Sequence, residues 1–171
     1  MRIKPIETIA DYPAGPDGKP DPAIVELFAQ LFPGVENPRI DENHAGTAIT
    51  AHNPKLAMLM AGMSRFMALE FEWSKRPDLR ELAFATLHLK LKAAYPFESR
   101  MGPAKASGLT AEQLALIPLW ENASVFDSEQ RLVIEYTNAV VACDVPEALF
   151  ARIVERYGDK GAVELTSLIG F

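Results

Sequence analysis

Apolar residues along most of the chain recur at intervals of three and four positions, which is the period of an α-helix. No run of strand length alternates apolar and polar residues. The helical pattern begins at Asp21 and is divided into segments by prolines, glycines and capping residues. The sequence therefore predicts an all-α fold, a bundle of about seven or eight helices.

Capping residues mark where these helices begin. Asp21-Pro22 and Asn53-Pro54 each place a capping side chain before a proline that suits a first helical turn. Thr110 with Gln113, and Asp127 with Gln130, have the spacing of capping boxes. The predicted helices cover residues 21–32, 53–71, 77–94 and 96–108, and four more begin at residues 110, 127, 146 and 160.

Three residues modify this arrangement. Pro103 is expected to bend the helix over 96–108 or to shift its start, because proline lacks a backbone N–H. Gly108 and Gly158 are expected to end the fourth and seventh helices, since glycine readily adopts the left-handed backbone found after a helix. Residues 35–51, which include His44, show no sustained period and are predicted to form a long loop of the kind that often borders a site.

The predicted second helix is apolar around most of its circumference and should be largely buried. Its apolar residues are Leu56, Met58, Leu59, Met60, Met63, Phe66, Met67 and Leu69. The four methionines in this set are expected to fill a core rather than to form a binding surface.

The two ends of the chain differ from the middle. Four prolines among residues 1–20 forbid a continuous helix there, so we expect an extended, proline-rich N-terminal arm before a single helical domain over residues 21–171. At the other end, apolar residues continue to Phe171 without a cap. We expect either that the chain is truncated after Phe171 or that this end packs on another subunit.

Composition excludes several classes of protein. Hydrophobic residues make up 49% of the 171, which is enough for a core, and the net charge of −6 leaves no basic surplus for binding nucleic acid. No apolar run reaches the length of a signal peptide or a membrane span, so we expect a cytoplasmic protein. The single cysteine, Cys143, cannot form an internal disulfide and is expected to be a buried apolar thiol.

Neither a metal nor a nucleotide cofactor is indicated. The three histidines, His44, His52 and His88, have no pair at the i, i+3 or i, i+4 spacing of helical metal ligands. The sequence also lacks a glycine-rich phosphate loop and a dinucleotide fingerprint. We therefore predict a protein without cofactors.

One region carries a specific pattern. Arg80-Glu81-Leu82-Ala83 is followed by Tyr95 and then by Ala104-Lys105-Ala106-Ser107-Gly108-Leu109-Thr110. In this pattern the chain resembles the carboxymuconolactone decarboxylase family, whose fold is alkylhydroperoxidase-like. Further matches are Trp120, residues 126–129 and residues 163–171, so the resemblance covers about residues 50–171. It implies a helical homo-oligomer, either a homotrimer or a homohexamer.

The departures from the family bear on chemistry. The resemblance places the two cysteines of the peroxidase branch at Ala93 and Pro96, and its histidine at Arg100. A thiol peroxidase needs one sulfur as nucleophile and a second to resolve the sulfenic acid. A thiol peroxidase is therefore the least favoured function, because Cys143 is alone.

The resemblance also implies roles for the residues that remain. Glu81 matches the family's proton-relay glutamate and is the expected general base. Glu98, which matches the acidic residue near the histidine, is a candidate second acid or base. Arg100 can bind a substrate carboxylate through two hydrogen bonds, with Tyr95 nearby. A structural role stays open for three of these residues. Glu81 would then make surface or cap contacts, Glu98 would pair with Arg100 or Lys105, and Arg100 would be an ordinary exposed arginine.

His88 is the third catalytic candidate. It lies seven residues after Glu81 on the same helix face, about 10 Å along the axis at 1.5 Å per residue. The alternative is a core or interface histidine that makes one hydrogen bond. We expect Glu81, His88 and Arg100 to line one cavity, because the helices that carry them are joined by only a few residues.

These residues favour a cofactor-independent lyase, decarboxylase or isomerase that acts on a small carboxylic acid, with Glu81 as general base. The alternative is a non-catalytic, oligomeric binding protein of the same family. Loss of the family histidine favours the alternative, and retention of the glutamate favours the enzyme.

Overall fold

A computed structural model describes residues 2–171, with the side chain of Asn43 excepted; Met1, the first residue of the predicted arm, lies outside this range. Helices account for the regular structure of these residues, and no strand occurs among them. They are α1 (Pro22–Leu31), α2 (Ala45–Thr50), α3 (Pro54–Glu70), α4 (Pro77–Lys90), α5 (Ala94–Ser99), α6 (Met101–Ala106), α7 (Ala111–Leu116), α8 (Ser128–Val141) and α9 (Glu147–Gly170). The prediction of an all-α fold is confirmed.

Most helix boundaries lie where the capping residues place them. The Asp21 carboxylate accepts a hydrogen bond from the Ala23 N–H at 2.8 Å, and the capping boxes at Thr110 and Asp127 both form. The helix expected over 96–108 is α5 followed by α6, which meet at Arg100. The two final predicted helices are the two parts of α9, which is interrupted at Gly158, where φ is 68°.

The predicted loop over 35–51 is wrong for its second part. Residues Glu42–His44 form a 3₁₀ turn and α2 follows directly. This segment is ordered by its contacts with the N-terminal residues: the Ile6 N–H donates to the Ala48 carbonyl, and the Ile40 N–H donates to the Glu7 carbonyl, both at 2.9 Å. A six-residue helix is too short to show a period, so tertiary contacts decide its structure.

The chain divides into two compact units, Met1–Phe66 and Met67–Phe171. The described part of the first unit has a small core to which the N-terminal segment contributes Ile6. Besides Ile6, its buried residues are Ile24, Leu27, Phe28, Ile40, Ala48, Ala51 and Ala57.

The second unit is built around α4, which packs against α8, α5 and α6. Leu79 and Ala83 of α4 pack with Val133 and Tyr136 of α8 in one buried cluster. Leu82 and Ala85, on another part of α4, belong to a second cluster that contains residues of α6, α7 and α8. The polar side chains of Glu81 and His88 lie on the remaining face of α4.

Two predictions about burial are wrong. The α3 helix was expected to be largely buried, yet most of its large apolar side chains are exposed, and its buried members include Ala57 and Met67. A helix that is apolar all round gives no sign of which side meets the core, and here the buried positions are Pro54, Ala57 and Met67. Cys143 is also exposed, because it lies after the end of α8 in the left-handed backbone region with φ 55°.

Candidate functional site

The α4 helix places three side chains on one face at Glu81, Phe84 and His88. The spacing of three and four residues brings successive members of this set together on a helix. Glu81 is 2% exposed, which is unusual for a carboxylate unless it is paired. Arg100 reaches this face from the junction of α5 and α6.

Arg100 and Glu81 form a bidentate ion pair. Arg100 Nε donates to Glu81 Oε2 at 3.0 Å, and Arg100 Nη2 donates to Oε1 at 2.6 Å. Arg80 Nη2 lies 3.5 Å from the same Oε1. The planar guanidinium matches the carboxylate in two-point geometry, so both Glu81 oxygens are occupied by the arginines of this chain.

Phe84 connects this pair to His88. The Arg100 guanidinium carbon lies 4.1 Å from the centre of the Phe84 ring, within the range of a cation–π contact. The His88 imidazole is nearly parallel to the Phe84 ring, with 9° between the planes and 6.3 Å between the centres. Sequence reasoning missed Phe84, although its position between Glu81 and His88 on one helix face was a usable signal.

The surroundings of the His88 imidazole favour its neutral form. Burial lowers its pKa, and the positive charge of Arg100 lowers it further, while the Glu81 carboxylate acts in the opposite direction. His88 Nδ1 is buried and has no hydrogen-bond partner within residues 2–171. Among the described residues, Arg80 Nε is likewise buried without a hydrogen-bond partner, and both nitrogens are unusual because most buried polar atoms are hydrogen-bonded.

A cavity of about 310 Å³ opens beside His88. Its lining comprises His88, Leu89, Lys92, Ala93, Ala94, Phe97 and Glu98. Besides His88, the lining therefore combines one basic and one acidic residue with four apolar ones. Lys92 has a left-handed backbone with φ 55°, which turns the chain from α4 into α5 and brings Glu98 to the same cavity.

The structure therefore divides the predicted site residues into two groups. Glu81 and Arg100 contact each other and are not among the lining residues of this cavity, whereas His88 and Glu98 are. The three residues expected to share one cavity do not share this one, because Glu81 and Arg100 direct their polar atoms at each other. Tyr95 is 52% exposed and is not part of the lining.

Two further findings concern ligands and membranes. Among residues 2–171, no three histidine, cysteine, aspartate or glutamate side chains are grouped as they would be around a metal ion. In the same residues, no helix combines the length and the apolar character needed to cross a membrane.

No protein-family model matches the chain, and neither the curated proteins nor the solved structures include a significantly similar one. Membership of the carboxymuconolactone decarboxylase family therefore remains a prediction that rests on the motifs in residues 80–110.

Proposed function

We propose that the chain is a cofactor-independent enzyme of the lyase, decarboxylase or isomerase type, related to the carboxymuconolactone decarboxylases, which transfers a proton on a small carboxylic acid. The observation that carries this proposal is the partly buried His88 imidazole, whose pKa is lowered by burial and by the Arg100 charge, at the cavity that Lys92 and Glu98 also line. A neutral imidazole is a suitable general base near neutral pH.

The proposed step needs no oxidant or reductant. His88 takes a proton from the carbon next to the substrate carbonyl; the electron pair of the broken C–H bond forms a carbon–carbon double bond, and the π pair of the carbonyl moves onto its oxygen to give an enolate. The imidazolium then returns the proton to the same or another carbon. Lys92 binds the substrate carboxylate, and Glu98 is available as a second acid or base.

This assignment changes the roles expected from the resemblance. Glu81 was the expected base and Arg100 the expected carboxylate anchor, but each already satisfies the other. We assign the pair a positioning role: Glu81 fixes Arg100, and the Arg100 charge opposes protonation of His88. His88 then remains available as a base at lower pH than an ordinary histidine.

A non-catalytic binding protein is the second candidate, and the closed Glu81–Arg100 pair favours it. For such a binding protein, the Glu81–Arg100 pair is a structural contact in the place of the family's proton relay. The cavity beside His88 then binds a ligand without changing it. Cytoplasmic location and assembly as a homotrimer or homohexamer belong to both proposals, and the resemblance supports the assembly.

Hydrogen exchange tests the enzyme proposal without knowledge of the net reaction. A panel of small carboxylic acids, including keto and unsaturated acids, is incubated with the protein in D₂O, and deuterium incorporation next to the carbonyl is followed by proton NMR. We expect incorporation for at least one acid. We expect loss of at least 100-fold in rate for His88→Gln, because removal of a general base typically costs a factor of about 10² to 10⁴.

Two lysines at the end of α4 provide a matched control. Lys92 lines the His88 cavity, whereas Lys90 lines a different one together with Trp120 and Glu135. Lys92→Met should raise the apparent dissociation constant of the acid, and Lys90→Met should not. An acid that binds without exchange would support the binding protein. Exchange that survives His88→Gln would remove His88 as the base.

A further inference from the structure

A second cavity, of about 470 Å³, lies in the second unit between α4, α8 and the 3₁₀ turn Ile117–Leu119. This volume falls in the range of about 300 to 1,000 Å³ that is usual for small-molecule sites. The linings of this cavity and of the cavity beside His88 share Leu89 and differ otherwise. We call it the Trp120 cavity, and its lining residues with polar side-chain atoms are Thr86, Lys90, Trp120, Glu121, Glu135 and Asn138.

Two charged side chains at the Trp120 cavity have no oppositely charged partner. Lys90 and Glu121 are both exposed, and neither side chain forms an ion pair or a hydrogen bond within residues 2–171. The third charged residue of the lining, Glu135, accepts a hydrogen bond from Arg152 at 2.8 Å. One ammonium and one carboxylate are thus left for a ligand.

Uncharged groups of both kinds accompany these charges. The Trp120 indole N–H, which can only donate, has no acceptor within residues 2–171. The Asn138 amide nitrogen donates to the Ile134 carbonyl at 3.0 Å, which leaves the amide oxygen to accept. The Thr86 hydroxyl donates to the Leu82 carbonyl at 2.8 Å and keeps its lone pairs. The cavity therefore offers donors that suit a carboxylate and acceptors that suit an ammonium.

The charges at the cavity are balanced, and this balance decides the class of ligand. Lys90 balances Glu121, and Arg152 balances Glu135. A ligand with only a carboxylate would leave Glu121 unpaired, and a ligand with only an ammonium would leave Lys90 unpaired. A charged group that loses water without gaining a partner is costly. A zwitterion, which carries both groups and no net charge, satisfies both side chains.

Arg131 of α8 fixes the wall that carries Trp120 and Glu121. Its guanidinium donates to the Trp120 carbonyl at 2.7 Å and to the Glu121 carbonyl at 3.2 Å. It also donates to the carbonyls of Ala123 and Phe126. A wall that is fixed before a ligand arrives loses little conformational freedom on binding, which favours affinity.

The rest of the lining is apolar and consists of Leu89, Ile117 and Pro118. Together with the Trp120 ring, these side chains can bury an apolar part of the ligand, as is usual in small-molecule sites. The combination of a zwitterion with an apolar side chain describes a free amino acid such as leucine or phenylalanine.

The cavity beside Trp73 shows the opposite situation. It has a volume of about 370 Å³, and its charged lining residues are Glu72, Arg76 and Lys160. Lys160 pairs with Glu72 at 3.0 Å, and Arg76 pairs with Glu129 at 2.8 Å. The charged side chains there satisfy one another, so nothing in that cavity calls for a ligand.

We propose that the Trp120 cavity binds a free amino acid with an apolar or aromatic side chain. Lys90 and the Trp120 indole N–H bind its carboxylate, and Glu121 and the Asn138 amide oxygen bind its ammonium. This is a second ligand site, separate from the cavity beside His88. The inference does not depend on the chemistry proposed for His88.

Proton–nitrogen NMR of the full chain tests whether the cavity is occupied. The chain has two tryptophans, so two indole N–H signals are expected, and Trp120→Phe assigns them. L-phenylalanine or L-leucine at millimolar concentration should shift the Trp120 signal in a saturable way. The Trp73 signal should stay in place, because that N–H donates to the Gly161 carbonyl at 2.9 Å in the core. A Trp120 signal that responds to neither amino acid would overturn the proposal.

Two analogues of phenylalanine test the need for a zwitterion. Hydrocinnamic acid lacks the ammonium, and phenethylamine lacks the carboxylate. The dissociation constant of each analogue, taken from the Trp120 signal, should be about tenfold or more above that of L-phenylalanine, because one charged side chain is left unpaired. Equal dissociation constants for all three compounds would show that the charges do not recognise the ligand.

Crossed variants assign each charge to its group on the ligand. Lys90→Met should weaken L-phenylalanine by about tenfold or more without weakening phenethylamine. Glu121→Gln should weaken L-phenylalanine similarly without weakening hydrocinnamic acid. Lys92→Met, which changes a lysine at the cavity beside His88, should leave the affinity for L-phenylalanine unchanged.

Lys90 and Glu121 are exposed, so their variants should remain folded, and circular dichroism checks this. Wild-type affinity for L-phenylalanine in both Lys90→Met and Glu121→Gln would overturn the proposal. Weaker binding in Lys92→Met than in Lys90→Met would place the amino acid in the cavity beside His88 instead.

Discussion

The Arg100 guanidinium and the Glu81 carboxylate satisfy each other through two parallel hydrogen bonds, although 19 residues separate them in the chain. Glu81 is almost completely buried, while the Arg100 side chain is 36% exposed. The pair therefore brings a charge into the interior of the second unit and compensates it there. Its effect extends beyond stability, because the same guanidinium contacts Phe84 and lies near His88.

Removing one member of this pair should destabilise the protein more than removing both. Arg100→Met leaves the buried Glu81 carboxylate with only Arg80, at 3.5 Å, and should cost less than the loss of about 3 to 5 kcal/mol on breaking a fully buried pair, because Arg100 is 36% exposed. The double variant Glu81→Gln with Arg100→Met should be less destabilised than the sum of the two single variants. Chemical denaturation of the four proteins gives the coupling free energy.

Strictly additive effects would contradict the ion pair. Arg100→Lys is a useful companion variant, because an ammonium retains the charge but cannot match both carboxylate oxygens. We expect its stability to lie between that of the wild type and that of Arg100→Met.

The depressed pKa of His88 predicts a specific pH dependence of stability. Because burial and Arg100 lower the His88 pKa in the folded protein, the unfolded chain binds a proton more readily. The free energy of unfolding should therefore be at its full value above about pH 6.5, the usual histidine pKa. It should decrease as the pH falls from there through the folded-state pKa.

Two histidine variants separate the contribution of His88 to the pH dependence of stability from the contributions of other titrating groups. His88→Gln should remove the decrease in this range, while His52→Gln, which changes an exposed histidine, should retain it. NMR titration of the imidazole resonances provides a direct measurement. A His88 pKa at or above the usual value would contradict both the pH prediction and its assignment as a neutral base.

Glu129 connects three other side chains of the second unit and predicts a loss of stability at acidic pH. Its carboxylate accepts hydrogen bonds from Arg76 at 2.8 Å, from Arg156 at 3.0 Å and from the Tyr157 hydroxyl at 3.1 Å. Burial alone would raise the Glu129 pKa, but the hydrogen bond and charge of Arg76, with the other partners, lower it overall.

The contribution of Glu129 to the free energy of unfolding should be complete at pH values above the ordinary glutamate pKa. It should disappear as the pH falls through the lower pKa that Glu129 has in the folded protein. Glu129→Gln should destabilise the protein at pH 7 by about 1 to 3 kcal/mol, the range for a lost hydrogen-bonded charge. The difference in the free energy of unfolding between Glu129→Gln and the wild type should become smaller at acidic pH. An unchanged difference between pH 7 and pH 3, measured by urea unfolding, would exclude this role.

Local chemistry explains which parts of the fold the sequence predicted. The caps at Asp21, Thr110 and Asp127 act within three residues, so their pattern is sufficient to locate α1, α7 and α8. The short α2 depends on the hydrogen bond between Ile6 and Ala48, which are more than 30 residues apart. No local pattern contains that information.

In the candidate site, too, the sequence predicts which residues take part but not the contacts between residues that are distant in the chain. The resemblance identified Glu81 and Arg100 as site residues, but neither motif nor spacing shows that two side chains 19 positions apart will form a closed ion pair. The exposure of Leu59 was not foreseen for a related reason. Apolar residues signal burial in general, and a helix that is apolar on every side does not show which of its side chains will meet the core.

Gly161 provides a prediction about packing in the second unit. Trp73 Nε1 donates a hydrogen bond to the Gly161 carbonyl at 2.9 Å, and the Trp73 ring lies 4.6 Å from that of Tyr157. A Cβ at position 161 would lie 2.7 Å from the Tyr157 Cβ, which is closer than two carbon atoms can approach. Both Cβ atoms belong to the backbone frame of α9, so a change of side-chain rotamer cannot relieve the contact.

Gly161→Ala should therefore destabilise the protein by about 1 to 3 kcal/mol, the usual range for overpacking. Gly170→Ala is the matched control, because it lies on the same helix and its added Cβ would meet nothing within 4 Å. That substitution should be neutral or stabilise the helix by up to about 1 kcal/mol, since alanine has the higher helix propensity. Thermal unfolding of both variants measures the difference, and Trp73 fluorescence should change only in Gly161→Ala. Equal stability of the two variants would show that α9 can open at its Gly158 kink and accommodate the additional methyl group.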